Sequence, residues 1–342
     1  MRVRCVLAVL FCLIATPAFS HTAQLSLDVA ADFSPVYPTD TVPSNVHHFA
    51  IVYKFDGEAP KRIHTRFVAV DVPGRPANAA AMDSDASIGK GWIRAVTRYT
   101  VARHFPEGRY RVEITGDDKP WEPFEFVVAA PIEMPALKKP EDVMPIRPGA
   151  VWEYQFAAVE RPSPGIRVRI PEIPSADADG MLRSTMTRTL LDVDGTTLHF
   201  VLERNKQKML DEWQDITRRG FAVVKRSSYG ETLTFDPPSV SIPLPLSGPY
   251  QSWSWRPKGG ELAQSYEMWG PVPIKLDGTQ RNGFVILQTQ KLKGQTMAAS
   301  SAEYDIVPGI GVVRSIEIEA GENGIPRMRN EITLIKAPDG GT

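Results

Sequence analysis

An all-β chain folded as two domains is predicted by three features of these 342 residues. Apolar side chains recur at every second position over most of the sequence, the period of a half-buried strand. No long apolar pattern with the 3.6-residue period of a helix occurs between residues 21 and 342. One stretch, residues 131–148, is so rich in proline that it interrupts either kind of pattern.

Taken in order, the first element stands apart from the fold. Residues 1–20, MRVRCVLAVLFCLIATPAFS, carry Arg2 and Arg4, an apolar run from Val6 to Ile14, then small Ala18 and Ser20. That is the anatomy of a secretory signal cleaved near Ser20-His21, so the product is expected in the periplasm or outside the cell. Residues 21–130 form the first β domain. In His48–Phe55, Phe49, Ile51, Tyr53 and Phe55 share a face, and in Arg109–Ile114, Tyr110, Val112 and Ile114 alternate with charged residues. Turns at Asp56-Gly57, Pro73-Gly74, Glu107-Gly108 and Gly116-Asp117 space such strands as in an antiparallel sandwich. Residues 131–148, PIEMPALKKPEDVMPIRP, read as an extended linker. Strands resume over 149–337 at Val151–Val159, Thr196–Arg204, Phe221–Ser227, Thr232–Phe235, Phe284–Leu292, Gly311–Glu319 and Arg327–Lys336, and 338–342 form a tail. Asn205–Thr217 is the one stretch that reads as helical, and Ala157–Arg183, rich in Pro, Ser, Asp and Gly, reads as a long loop.

Composition excludes several classes. Both cysteines, Cys5 and Cys12, lie in the signal segment, which removes disulfides, Cys-ligated metals and Cys nucleophiles from the remainder. Lys and Arg number 39 against 40 Asp and Glu, without a block of either sign, which is no footprint for nucleic acid. Beyond the signal no run approaches the roughly 20 apolar residues of a transmembrane segment. The nucleophile patterns Gly-x-Ser-x-Gly, Ser-x-x-Lys and His-Glu-x-x-His do not occur, and Gly309-Ile310-Gly311 lies in a hairpin with no helix after it to bind phosphate.

Two parts of the chain resemble known families. VPSNVHHFAIVYKFDG, HTRFVAVDV, FPEGRYRVEI and FEFVV, in that order between Phe33 and Val128, resemble an immunoglobulin-like module of exported bacterial proteins, with Tyr110 in the tyrosine-corner position. IRPGAVWEYQF, IPLPLSGPYQSWSW, NGFVILQTQ and YDIVPGIGVVRSIEIE resemble a β-rich domain of unknown function in exported bacterial proteins. Trp152 and Tyr154 match its opening, Leu246–Trp253 its middle, and Tyr304 with Pro308-Gly309-Ile310-Gly311 its terminal hairpin, whereas Asn282-Gly283-Phe284 departs from its pattern. The resemblance implies an immunoglobulin-like β-sandwich followed by a curved antiparallel sheet or incomplete β-barrel, a shape that holds apolar ligands elsewhere in the envelope. It brings no catalytic residues with it.

Three groups of residues are candidates for chemistry. His21, once freed by cleavage, offers an amine and an imidazole to Cu(II), with a third nitrogen from His47, His48, His64 or His104. His47 and His48 point to opposite faces of a strand, so only one of them can join such a site. Tyr250, Trp253, Trp255 and Trp269, among Pro243, Pro245, Pro249 and Pro271, can stack on sugar rings or line an apolar cavity; the ordinary alternative is a core closed by tryptophans. Asp211-Glu212-Trp213-Gln214-Asp215, with Glu203 upstream, supplies carboxylates of the kind a glycosidase uses, although charged residues beside a turn are commonly a solvated surface. The expected function is therefore a non-catalytic envelope binding or scaffold protein with an apolar or carbohydrate ligand on the C-terminal sheet around Tyr250, Trp253, Trp255 and Trp269. Copper binding or copper redox chemistry through His21, His47 and His104, and polysaccharide hydrolysis, are the alternatives. Exposed strand edges could also recruit a protein partner by strand addition.

Overall fold

A computed structural model of the protein describes residues 21–101, 104–133, 136–160, 182–246, 248–260, 262–292, 300–319 and 328–338. Residues 1–20, read as a signal, and most of the loop read at 157–183 lie outside them; at the ends of that loop, residues 157–160 and 182–183 are strand.

Alternating residues of the first domain pair into β1 (Thr22–Ser26), β2 (Thr41–Pro43), β3 (His48–Lys54), β4 (Arg62–Asp71), β5 (Ala79–Ser87), β6 (Arg94–Thr100), β7 (Gly108–Gly116), β8 (Lys119–Pro120) and β9 (Phe124–Ala129). One sheet has the order β1-β3-β6; the other runs β2-β9-β7-β4-β5, with β8 beside β7 and β2 parallel to β9. The inward residues join the two layers. Phe49 and Tyr99 from the first sheet meet Phe67 from the second, with ring centroids 5.9 and 4.9 Å apart, and Phe126 lies 5.9 Å from Phe67. The Tyr110 hydroxyl donates to the Pro106 carbonyl at 2.9 Å, the contact expected of a tyrosine corner. Strand β3 departs from the half-buried expectation. Ala50 and Val52, on its second face, are buried too, because Val29 and Phe33 pack over them.

In its described residues the proline-rich segment holds one short helix, α1 (Pro140–Val143), and it is docked at several points. The Asn45 side chain bonds the amide and carbonyl of Ile132 at 3.0 and 2.8 Å, and Leu137 exchanges both backbone hydrogen bonds with Leu246 at 2.9 and 2.8 Å. Val143 and Met144 are buried. Proline removes donors without preventing the remaining groups from pairing, so a spacer by composition becomes a strap by contact.

The second domain is one antiparallel sheet built from β10 (Val151–Glu160), β11 (Leu182–Asp194), β12 (Thr197–Arg204), β13 (Gln207–Thr217), β14 (Gly220–Ser228), β15 (Glu231–Pro243), β16 (Tyr250–Trp255), β17 (Leu262–Leu276), β18 (Thr279–Leu292), β19 (Ser300–Val307), β20 (Gly311–Glu319) and β21 (Met328–Lys336). Its order is β15-β14-β13-β12-β11-β10-β21-β20-β19-β18-β17-β16. Two meanders, β10 to β15 and β16 to β21, are thus joined along β10 and β21 and curl into a nearly closed, twelve-stranded barrel. The expected helix over Asn205–Thr217 is instead β13. Asn205 and Lys206 both take positive φ, 49° and 65°, the geometry of a two-residue hairpin, and pairing with β12 and β14 overrides the local propensity.

The barrel lacks one ladder, between β15 and β16, and side chains bridge that seam. Asp236-Pro237-Pro238 bulges out of β15 between the Lys225–Thr234 and Val223–Ser239 pairs, and prolines have no N–H to offer an edge partner. The Trp253 indole donates to the Val240 carbonyl at 2.8 Å and the Trp255 indole to the Pro237 carbonyl at 2.6 Å. At one end the interior is solid. Trp152 and Tyr154 donate to the carbonyls of Ile310 and Val312 at 2.7 and 2.9 Å, so the opening motif and the Pro308–Val313 hairpin bind one another. Gly311 there has φ +97°, and a Cβ on it would stand 3.0 Å from that of Met144, so the hairpin requires glycine at this position.

The sandwich lies against the outside of the β16–β21 meander. Arg329 donates to Asp32 and Ser34 at 2.9 and 2.8 Å, Tyr37 donates to Asp305, and Asn282 bonds the Glu133 carbonyl at 3.5 Å.

Candidate functional site

Inside the barrel, beyond the Trp152 plug, lies a cavity of about 350 Å³. Strand alternation builds its wall: Phe156 on β10, Met186 and Arg188 on β11, Leu202 on β12, and Leu210, Glu212 and Gln214 on β13 all point inward. Phe156, Met186, Leu202 and Leu210 form a contiguous apolar wall across four neighbouring strands. The opposite side, on β15, β17, β18 and β19, is richer in amides and hydroxyls, with Ser239, Gln264, Tyr266, Gln288 and Tyr304.

The polar groups are organised rather than scattered. Glu212 receives Arg226 through Nε at 2.7 Å and Nη2 at 2.6 Å, Arg188 through Nη2 at 3.4 Å, and Gln214 through Nε2 at 2.6 Å. Burial alone would raise the Glu212 pKa, but the guanidinium groups of Arg226 and Arg188 outweigh it and hold the carboxylate below its ordinary value. Arg226 is raised in turn, because Glu212 overcomes the burial that opposes its charge. Arg188 is fixed from behind by rings: its guanidinium carbon is 3.8 Å from the Phe200 centroid and 5.9 Å from that of Trp152. Across the lumen Ser239, Gln264 and Tyr266 bond one another at 2.8 to 3.2 Å, and Tyr304 donates to Gln288 at 3.2 Å. Burial raises the pKa of both tyrosines, so they remain neutral donors. Among the described residues the lining contains no histidine, lysine or cysteine, and its buried carboxylate, Glu212, is already engaged by two arginines and Gln214. Such a chamber is suited to holding a molecule.

The structure relocates the residues expected to bind. Trp253 and Trp255 close the seam with their indole N–H groups on backbone carbonyls, and Trp253 stacks on Tyr266 at 5.1 Å. Trp269 is buried on the outer side of β17, 4.5 Å from His48, and Tyr250 stacks on His47 at 4.3 Å. These four residues therefore serve closure and domain docking, and none lines the cavity. His21 is packed between Phe55 and Trp121, at 5.8 and 5.2 Å, while burial, followed by the charges of His47 and Arg98, lowers the His48 pKa to about 3. His21, His47 and His104 are not assembled with one another: among the described residues no group of three or more His, Cys, Asp or Glu side chains is placed to hold a metal ion. His64 sits apart with Asp83 and Asp85 on the exposed side of β4 and β5.

The carboxylates proposed as an acid and base pair are divided by the strand that carries them. Glu212 faces the lumen, whereas Asp211 faces out to His199 and Lys208 at 3.0 and 2.9 Å, and Asp215 accepts from Thr197 at 2.6 Å. Among the described residues Glu203 accepts from Thr187 at 3.4 Å and is not part of the cavity lining. A helix over 205–217 would have gathered them differently; read with period two, the same residues place Leu210, Glu212 and Gln214 in the lumen. Arg188 was the least legible, because MTRTL gives no sign that its arginine faces inward.

No family model matches the chain, and no curated protein matches it. Among solved structures, a protein from Bacteroides fragilis described as a putative exported protein with a YmcC-like fold is similar at 10% identity with a TM-score of 0.31, over 57% of this chain and 98% of that one. Among the described residues no helix is long and apolar enough to cross a membrane.

Proposed function

We propose that this is a non-catalytic binding protein of the cell envelope, in which an immunoglobulin-like module supports a barrel that carries its ligand in the lumen. The observation that supports this reading is the 350 Å³ cavity walled on one side by Phe156, Met186, Leu202 and Leu210. Apolar surface facing empty space contributes little to stability, since neither packing contacts nor exclusion of water is gained. A ligand with an apolar part would bury it. The sheet order of residues 21–130 and the Tyr110–Pro106 contact support the immunoglobulin-like reading, and the leader-like 1–20 supports export. The ligand site is thereby moved from the tryptophans to the interior.

The test fills the lumen. Protein isolated from its host periplasm should carry one organic adduct per chain in a native mass spectrum, and the neutral probe N-phenyl-1-naphthylamine should bind the stripped protein one to one. Leu210→Trp, which projects a larger ring into the cavity, should abolish probe binding while leaving the fold intact by circular dichroism. Equal binding by the variant and the parent protein would refute a lumenal site.

A further inference from the structure

Building on the lumenal reading, we infer that the ligand is an anionic amphiphile, one acidic group on an apolar body, with the acid held by Arg188 and Arg226. Two guanidinium groups face a single carboxylate in this part of the chamber. Glu212 accepts from both arginines and from Gln214, which uses most of the roughly four acceptor positions of a carboxylate. Arg188 has five N–H donors. Among the described residues its hydrogen bond is the 3.4 Å contact to Glu212, and the Phe200 ring behind it orients the guanidinium without satisfying a donor. The other carboxylate of the lining, Glu317, is exposed on β20 and is engaged by Asn330 at 3.5 Å, so water screens its charge. Glu212 balances Arg226, whose side chain is 43% exposed, so the charge left over is that of Arg188, whose side chain is 14% exposed and stands where isolated charge is unfavourable.

The apolar wall lies next to that charge. Met186 precedes Arg188 by two residues on β11, and Leu210 precedes Glu212 by two on β13, so each charged residue shares a face with an apolar neighbour one strand pleat away. Leu202 extends this surface on β12, between them. A carboxylate placed on the free donors of Arg188 would complete the charge balance, a phosphate monoester, at about −1.5 to −2, would exceed it while filling more donors, and a chain or ring attached to either would run along Leu202, Leu210, Met186 and Phe156. A neutral glycan would leave the surplus charge unmatched, and a purely apolar molecule would leave the arginine donors unused.

Two fluorescent probes of similar body separate these cases: 1-anilinonaphthalene-8-sulfonate carries one anionic group, and N-phenyl-1-naphthylamine carries none. The anionic probe should bind one to one and at least about tenfold more tightly than the neutral one, as expected for a charge-assisted hydrogen-bonded pair. Arg188→Gln should remove that preference and leave the neutral probe within about twofold of its original affinity, while Arg188→Lys, which keeps the charge, should restore part of it. Dodecanoate and dodecyl phosphate should displace the anionic probe, the stronger of the two identifying the head group, and dodecanol should not. Unchanged anionic-probe affinity in Arg188→Gln, or displacement by dodecanol as effective as by dodecanoate, would overturn the inference. A neutral probe lost in Leu210→Trp but without any preference for the anion would overturn it while leaving the lumenal site standing; a neutral probe indifferent to Leu210→Trp would remove both.

Discussion

The two β domains obey the same alternation and use it for opposite ends. In the sandwich every inward position of β3, β4 and β9 is filled: Phe49, Phe67 and Phe126 are 1% exposed or less and touch one another's rings. In the barrel the inward positions are filled only near Trp152, Leu190, Leu198 and Phe200, and beyond them they carry Arg188, Glu212, Gln264 and Gln288 around empty space. A closed-packed core and a chamber thus differ by which side chains occupy positions that the backbone treats identically. Where polar side chains stand inward in bonded networks, the fold has kept room that apolar residues of similar size would have filled.

The most severe test of that contrast is truncation on each side of it. Phe67→Ala should cost about 3–5 kcal/mol in urea unfolding, because the cavity left among Phe49, Tyr99 and Phe126 cannot collapse. Leu202→Ala, on a wall that already faces space, should cost about 1 kcal/mol or less. Equal losses would mean that the chamber is packed in solution. Next in size is Glu212→Gln, which leaves Arg188 and Arg226 without their carboxylate and should cost about 3 kcal/mol, measured the same way. Replacing Glu317, exposed at the rim, should change stability little.

Between the domains sits a third environment, and pH separates it from the other two. Asp28 of the sandwich and Glu303 and Asp305 of the barrel are buried together where Tyr37, Arg98 and Arg314 also converge. Burial raises all three carboxyl groups, Asp305 to about 7, and the neighbouring acids push Glu303 further up. A carboxyl that binds its proton more tightly folded than unfolded stabilises the fold at low pH and loses that contribution as pH rises towards its folded value. Melting of the full chain should therefore show stability falling as pH rises above about 4, with Asp305 alone contributing about 1.4 kcal/mol per pH unit up to about pH 7. Asp305→Asn should flatten the slope; an undiminished slope in that variant would assign the titration elsewhere.

Much of this architecture was legible because the residues that form it are apolar and periodic. Phe49-x-Ile51-x-Tyr53 and Tyr110-x-Val112-x-Ile114 announce sandwich strands, and Trp152-x-Tyr154 and the Pro308–Val313 hairpin, which stand out in the sequence as separate motifs, meet at the barrel's filled end. The chamber was illegible for the converse reason. On β11 and β13 the inward set mixes Met186 with Arg188 and Leu210 with Glu212 and Gln214, which erases the apolar period that sequence reading depends on. The size of the tryptophans suggests a binding platform, and the sequence does not announce the further use the fold makes of Trp253 and Trp255, whose indole N–H groups stand at this seam where strand partners are missing.

That replacement supplies the smallest and most local test. Tyr110→Phe and Trp253→Phe each delete one hydrogen bond to a backbone carbonyl, of Pro106 and Val240 respectively, and each should cost about 1 kcal/mol. Their consequences should still differ. Tyr110 closes a turn on β7, which is held by full ladders to β4 and β9, so its loss should leave amide exchange in those strands nearly unchanged. Trp253 stands where no ladder exists, and β16 is paired on one side only. Without that indole, amides of β15 and β16 should exchange faster while those of β10 and β21, on the far side of the barrel, keep their protection. Uniform loss of protection around the barrel would show that the seam is no weaker than the ladders; loss confined to β15 and β16 would mark the seam as the part of the wall that opens most readily.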